Sequence, residues 1–223
     1  MYFSKVELKL ERLPYVMQQK WWSAGEYAMH QWLWQLFPDE NKRSFLFHKD
    51  QKIKKPLFYL LSEVTPLANH ELFKVDTKPY APQLTTGMKL SFLLRANPVV
   101  MKQGKRCDVM MNAKYQAKQQ GLSSNEIKAQ QYQAAIDWLI KQSEKRGFSL
   151  QQNDHSAVCC NVISYNQHLL NKKSELKPIS YSSVDFEGVL TVTDPKLFLA
   201  TLYQGIGKSK GFGCGLFLIK HCQ

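Results

Sequence analysis

The first residues, YFSKVELKL, alternate apolar and charged side chains, the period-2 pattern of a half-buried strand. The next segment, SAGEYAMHQWLWQLFP, changes to helical spacing. Ser23 and Glu26 stand three apart as in a capping box, Leu33, Trp34 and Phe37 are candidate core, and Pro38 ends the helix. RSFLFHKD and KPLFYLLSEV predict two more strands joined by a lysine-rich turn. Residues 65–88 read as irregular, with at most a short helix near NHELFKV. MKLSFLLRANPVV predicts a strand stopped by Asn97-Pro98.

The second half repeats that order. KRCDVMMNA supplies a strand, and SSNEIKAQQYQAAIDWLIKQSEKRG a serine-capped helix that stops at Gly147. FSLQQNDHSAVCCNVISYN and ISYSSVDFEGVLTVTD read as long strands, PKLFLATLYQGIG as a helix with Pro195 in its first turn, and GFGCGLFLIKH as a last strand. Each half is therefore β-α-β-β-α-β, the split βαβ arrangement. The expected fold is α+β, two tandem ferredoxin-like (βαββαβ) domains over residues 1–98 and 106–223, joined near residues 98–106.

Charge narrows the function classes. Thirty basic residues against 18 acidic ones give +12, spread over both halves, and after Asp194 four lysines occur with no acid. Such a balance points to a polyanionic partner. No basic amphipathic helix with a clean apolar face favours a membrane surface. No apolar run approaches the roughly 20 residues of a membrane span, and the start lacks a signal peptide's apolar block, so the expected location is cytoplasmic. The five cysteines form no C-x-x-C pair and predict neither zinc site nor disulfide framework. Neither cofactor nor metal is expected.

GIGKSKGFGCG, residues 205–215, resembles a nucleotide loop at first sight. A Walker A loop ending at Gly207-Lys208-Ser209 requires glycine at 202, where the chain has Leu202, and here a helix precedes the loop and a strand follows. The G-x-G-x-x-G pattern fails as well, since Gly205 and Gly207 lead to Lys210. A tight helix-to-strand turn accounts for one or two glycines. Gly205, Gly207, Gly211 and Gly213 with Lys208, Ser209 and Lys210 instead suit a phosphate cradle, in which backbone N–H groups and two ammonium groups meet a nucleic-acid strand.

On the first helix, Tyr27 and His30 are spaced i, i+3 and share a face. A helical histidine beside a tyrosine serves packing or hydrogen bonding in many proteins. If this pair is catalytic and no metal takes part, the chemistry is RNA cleavage by the strand's own 2′-hydroxyl. Histidine suits either proton transfer, tyrosine a hydrogen-bonding role, and Lys208 or Lys210 the phosphorane charge.

MYFSKVELK, YAMHQWLWQLFP with RSFLFH, LRANPVV…GKRCDV, VDFEGVLTVTDP and QGIGKSKGFGCGL, in that order and spacing, run the length of the chain. Together they resemble the CRISPR-associated CasE endoribonucleases, the crRNA-processing subunit of type I-E Cascade. The resemblance implies two RRM-like ferredoxin-like domains and metal-independent cutting of CRISPR repeat RNA at the 3′ base of its stem-loop. The products would be a 5′-hydroxyl and a 2′,3′-cyclic phosphate, with the crRNA staying bound and joining other Cascade subunits, especially the backbone subunit. The family's catalytic histidine falls on His30, its tyrosine on Tyr27, its glycine-rich loop on Gly205 to Gly215, and its basic stem-gripping hairpin near Lys172 and Lys173. ERLPYVMQQKWWSAG is longer than the family pattern, and its Trp21 and Trp22 suit core packing or base stacking. No second catalytic cation is placed: Lys42 and Arg43 after the helix, or Lys105 and Arg106 in the linker, suit facing phosphate if they are not solvated surface, and Lys105 and Arg106 are counted among the RNA-binding residues. The rival readings are a non-catalytic crRNA-binding subunit and a binder of unrelated structured RNA.

Overall fold

The computed structural model describes residues 1–12, 26–50, 56–170 and 179–222. The alternation in YFSKVEL becomes β1 (Tyr2–Leu8). It is followed by α1 (Glu26–Trp34), β2 (Phe45–Asp50), β3 (Leu57–Ser62) and β4 (Phe73–Pro79). The strands lie in the order β2-β3-β1-β4, every neighbour antiparallel. Val6, Phe45, Phe47, Phe58 and Leu60 pack on Met29, Leu33, Leu36 and Phe37. Leu46 and Leu61, one residue out of phase, turn to the other face and meet Leu216. Both faces of the sheet are covered, which is why FLF and LFYLL run apolar without interruption. The segment expected as a short helix near NHELFKV is instead the strand β4, because Val75 and Phe73 align with Val6 and Leu8 of β1.

The chain continues through β5 (Lys89–Ala96), a hairpin of β6 (Val99–Lys102) and β7 (Lys105–Asp108), and two helices, α2 (Val109–Gln119) and α3 (Ser124–Ser143). β8 (Phe148–Leu150), β9 (Cys160–Leu170), β10 (Ile179–Val192), α4 (Pro195–Gln204) and β11 (Phe217–His221) complete it. The second sheet has the order β11-β5-β10-β8, with β9 also pairing β10. Taking β8 and β9 as one interrupted strand, both sheets share the order fourth-first-third-second, the ferredoxin-like arrangement.

Sheet pairing moves one element between the modules. The sequence pattern closes the first domain with MKLSFLLRANPVV and puts the join near residues 98–106. The strand β5 instead pairs β10 and β11 and opens the second sheet, and β4 closes the first. KRCDVMMNA is correspondingly not the opening strand of that sheet. Among the described residues Lys105–Asp108 pairs only with β6, and Asp108 then caps α2 by accepting from the Met111 N–H at 2.9 Å. The long strand expected over 148–166 is broken at Asn153, whose Oδ1 accepts from the N–H groups of His155 and Ala157. The last strand is shorter than GFGCGLFLIKH. The helix α3 opens as expected, with reciprocal Ser123 and Glu126 capping bonds.

The modules meet sheet against sheet. Phe3, Tyr59, Tyr80 and Tyr203 gather around Leu46, Leu61 and Leu216, and the Tyr203 hydroxyl donates to the Tyr80 carbonyl at 3.1 Å. Beside them lies a cavity of about 540 Å³ lined by His48, Arg95 and Asp185 among apolar residues. The Arg95 and Asp185 side chains are paired there at 2.7 Å. Burial, with a further contribution from Arg95, pushes the His48 imidazole down to about 4. Among the described residues no helix is long and apolar enough to cross a membrane.

Candidate functional site

The site begins with α1, whose apolar stripe docks on the first sheet and thereby fixes the rotation of the helix. His30 is packed against the Phe45 ring at 5.6 Å and edge-on to Trp34 at 5.3 Å. Its Nε2 is shielded from solvent and has no hydrogen-bond partner among the described residues. Burial, then the nearby Arg43 charge, holds its pKa below 6.5, so the ring is neutral near pH 7. Tyr27 stands one turn earlier on the same helix.

The glycine-rich loop reaches this helix from the far end of the chain. Its short 3-10 turn, Lys210–Phe212, lies over α1, and a methyl group built at Gly211 would stand 3.3 Å from Arg43 Nη1 and 3.9 Å from His30 Nε2. Histidine, guanidinium and loop backbone therefore converge on one point. The other glycines serve the loop itself. At Gly205, φ is +70° and an added Cβ would meet the Gly215 carbonyl oxygen at 2.8 Å, while Ile206 N–H donates to that same carbonyl at 3.0 Å. Gly207 and Gly213 also have left-handed backbones. Of the loop glycines at 205, 207, 211, 213 and 215, only Gly211 has ordinary dihedral angles and a reason to be small that lies at His30.

Positive charge collects around the loop. The Lys210 ammonium donates to the Gln204 carbonyl at 2.6 Å. Its pKa is lowered by burial and then by Arg43, Arg146 and Lys208. Like charges this close are tolerable where an anion is to be received. Arg106 of β7 borders the same groove as Arg146, Gly205, Gly207, Lys208 and Lys210. Ser209 holds a left-handed backbone, φ +58°, and its hydroxyl accepts from Asn97 Nδ2 at 2.7 Å.

The structure thus brings together His30, Gly205, Gly207, Lys208, Ser209, Lys210, Gly211, Gly213 and Arg106. Lys105, in the same hairpin, is exposed and lines none of these grooves. Lys172, Lys173, Trp21 and Trp22 lie outside the described residues. Of the two cation pairs left open by the sequence, Arg43 is the member at His30. Arg146 went unnoticed because a basic residue before the glycine that ends a helix is common and carries no site signal. Asn97, Tyr181 and Phe212 were missed too: ring stacking between residues far apart in sequence leaves no pattern. Among the described residues no three His, Cys, Asp or Glu side chains gather as metal ligands.

Two ferredoxin-like modules with a basic groove and a histidine-bearing helix at their junction define a tandem ferredoxin-like protein. The chain belongs to the CRISPR associated protein family, whose sequence model matches residues 1–221. It is 29% identical over 201 residues to the CRISPR system Cascade subunit CasE of Escherichia coli K12, covering 87% of this chain and 92% of that one. It is 28% identical over 145 residues to the CRISPR-associated endoribonuclease Cse3 of Thermus thermophilus, covering 64% and 60%. In fold it is similar to the CRISPR endoribonuclease Cse3 bound to a 19-nucleotide RNA, with TM-score 0.74, 23% identity, and 99% and 100% of the two chains covered. Cas6e from E. coli K-12 superposes with TM-score 0.58 at 25% identity, both chains covered fully at 100%.

Proposed function

We propose that the protein is a metal-independent endoribonuclease that cuts CRISPR repeat RNA at the 3′ base of its stem-loop and matures crRNA. The observation that carries this reading is the convergence of His30, its pKa lowered by burial and by Arg43, with the Arg43 guanidinium and the backbone of Gly211. The kinship with CasE and Cse3 supports the substrate.

The chemistry balances without a cofactor. His30 Nε2, unprotonated, takes the 2′-hydroxyl proton of the scissile nucleotide. The 2′-oxygen attacks the adjacent phosphorus, the P–O5′ bond breaks, and the departing 5′-oxygen takes a proton from water to become a hydroxyl, while the proton held by His30 passes back to solvent. The products are a 2′,3′-cyclic phosphate and a 5′-hydroxyl. Arg43 and Lys210 stabilise the extra negative charge of the phosphorane. Tyr27, one helical turn from His30, orients the attacking hydroxyl. Because Nε2 is shielded with Gly211 beside it, the Lys210–Phe212 turn must shift when RNA enters. Repeat RNA and other Cascade subunits, the backbone subunit foremost, are the proposed partners, and the stem is gripped in part by Arg106 and by Lys172 and Lys173.

His30→Ala should abolish or strongly slow cutting while repeat binding persists. Cutting should continue in EDTA and stop with one 2′-deoxy nucleotide at the scissile position. A strict magnesium requirement would sink the scheme. The shielded Nε2 also suits a second reading, a non-catalytic crRNA-binding subunit, which would release no cyclic phosphate from repeat RNA.

A further inference from the structure

Beside the glycine-rich loop lies a cavity of about 730 Å³ that His30 does not line. Its walls include His168 of β9, Tyr181 of β10, Ser209 and Phe212 of the loop, and Asn97 and Arg106. We infer that this cavity receives one unpaired nucleobase of the bound RNA.

Three independent features support a base in particular. The first is a column of near-parallel rings. His168 and Tyr181 stack at 4.4 Å and 13°, and Tyr181 and Phe212 at 4.9 Å and 20°. The column links β9 and β10 to the loop and provides flat aromatic rings on which a base can stack. The second is the Asn97 amide. It is only 5% exposed, and its Oδ1 has no partner among the described residues while its Nδ2 is used on Ser209. A buried, unpaired amide oxygen is costly and persists where a ligand supplies the donor. Each RNA base has a donor to offer there, an exocyclic amino group on adenine, cytosine and guanine and the N3–H on uracil. The third is charge at the rim. Arg106 and Lys208 are exposed on the cavity's edge, placed for the phosphates on either side of a splayed-out nucleotide. The volume is in the range of a small-ligand site.

Position gives the base a role. Gly211 of the loop faces His30, whereas Ser209 and Phe212 face the cavity. A strand crossing the loop with one base held in the cavity has its register fixed relative to His30. Placement of that base then selects which phosphate is cut. The inference rests on the reading of the protein as an RNA-cutting enzyme and adds a specificity site to it.

The test uses the full chain carrying His30→Ala and repeat RNAs with one abasic site at each unpaired position in turn. One position is expected to weaken binding by roughly 5- to 150-fold, the range for a stacked base. With Phe212→Leu, or with His168→Ala at the other end of the column, the penalty at that position alone should shrink to under about twofold. In Asn97→Ala the abasic penalty at that position should shrink as well, because the base loses its acceptor. Thermal melts identify any variant that fails to fold, which is why both ends of the column are used. Abasic penalties that are the same in every folded variant would overturn the cavity and leave the nuclease reading standing. A protein that neither binds nor cuts any repeat RNA would overturn both.

Discussion

Arg95 and Asp185 stand directly opposite one another on β5 and β10 and form a two-pronged ion pair, Nε to Oδ1 at 2.7 Å and Nη2 to Oδ2 at 3.0 Å. The Ser164 hydroxyl donates a third hydrogen bond to the same carboxylate at 2.6 Å. With the arginine only 2% exposed, removing one partner strands a charge. Asp185→Ala is expected to cost about 3–5 kcal/mol in urea unfolding. Replacing both residues by leucine should restore most of that loss, and a double variant as unstable as the single one would show that the pair contributes more than mutual neutralisation.

His48 gives stability a pH dependence. Its folded value of about 4 lies below the ordinary 6.5, chiefly through burial and secondly through Arg95, with Asp185 and Asp50 opposing. As pH falls below 6.5 the unfolded chain takes up a proton that the folded chain refuses, so stability declines between about 6.5 and 4 and this contribution levels off below that. The displacement corresponds to roughly 3 kcal/mol. Unfolding measured at several pH values should show the slope, and His48→Gln should flatten it.

The cleavage rate should follow the neutral form of His30. Burial and Arg43 lower its pKa, so the rate should rise through a midpoint below 6.5 and then level off. Arg43→Gln is expected to move that midpoint upward and to reduce the plateau by about 100-fold through loss of charge stabilisation. A single-turnover pH profile reads both effects. A lower plateau with an unmoved midpoint would separate Arg43 from His30.

Two glycines of one loop should respond in opposite ways. Gly205→Ala forces a side chain into a left-handed backbone and against the Gly215 carbonyl. It should lower stability by about 1–3 kcal/mol. Gly211→Ala meets only the flexible end of Arg43 and the edge of His30. Stability should change by under about 0.5 kcal/mol, whereas cutting should slow by roughly tenfold or more as the two groups are displaced. Thermal melts and cleavage assays on both variants check the contrast.

Periodicity made β1, β2, β3, β10, α1, α3 and α4 legible, because each has a face whose burial dictates its residue types. Partnership was harder to read. The strand β5 follows the first module in sequence and resembles its last strand, but Arg95 finds its carboxylate only on β10. The strand β4 is an edge strand with more than half its residues exposed, so its pattern is weak. The helix α2 carries lysine, asparagine and glutamine over most of its surface and shows a cap but little stripe. For the site, His30 and the loop were visible as residues. What could not be seen was that four of the loop's five glycines answer to backbone geometry and one to the histidine, since dihedral angles are not written in composition.

The meeting of Gly211 with His30 also has a meaning in time. The two are separated by about 180 residues, and a ribosome adds roughly 5–20 residues each second. The helix with its histidine is thus made many seconds before the loop that completes the corner. During that interval His30 and Arg43 stand without the loop backbone that later meets them.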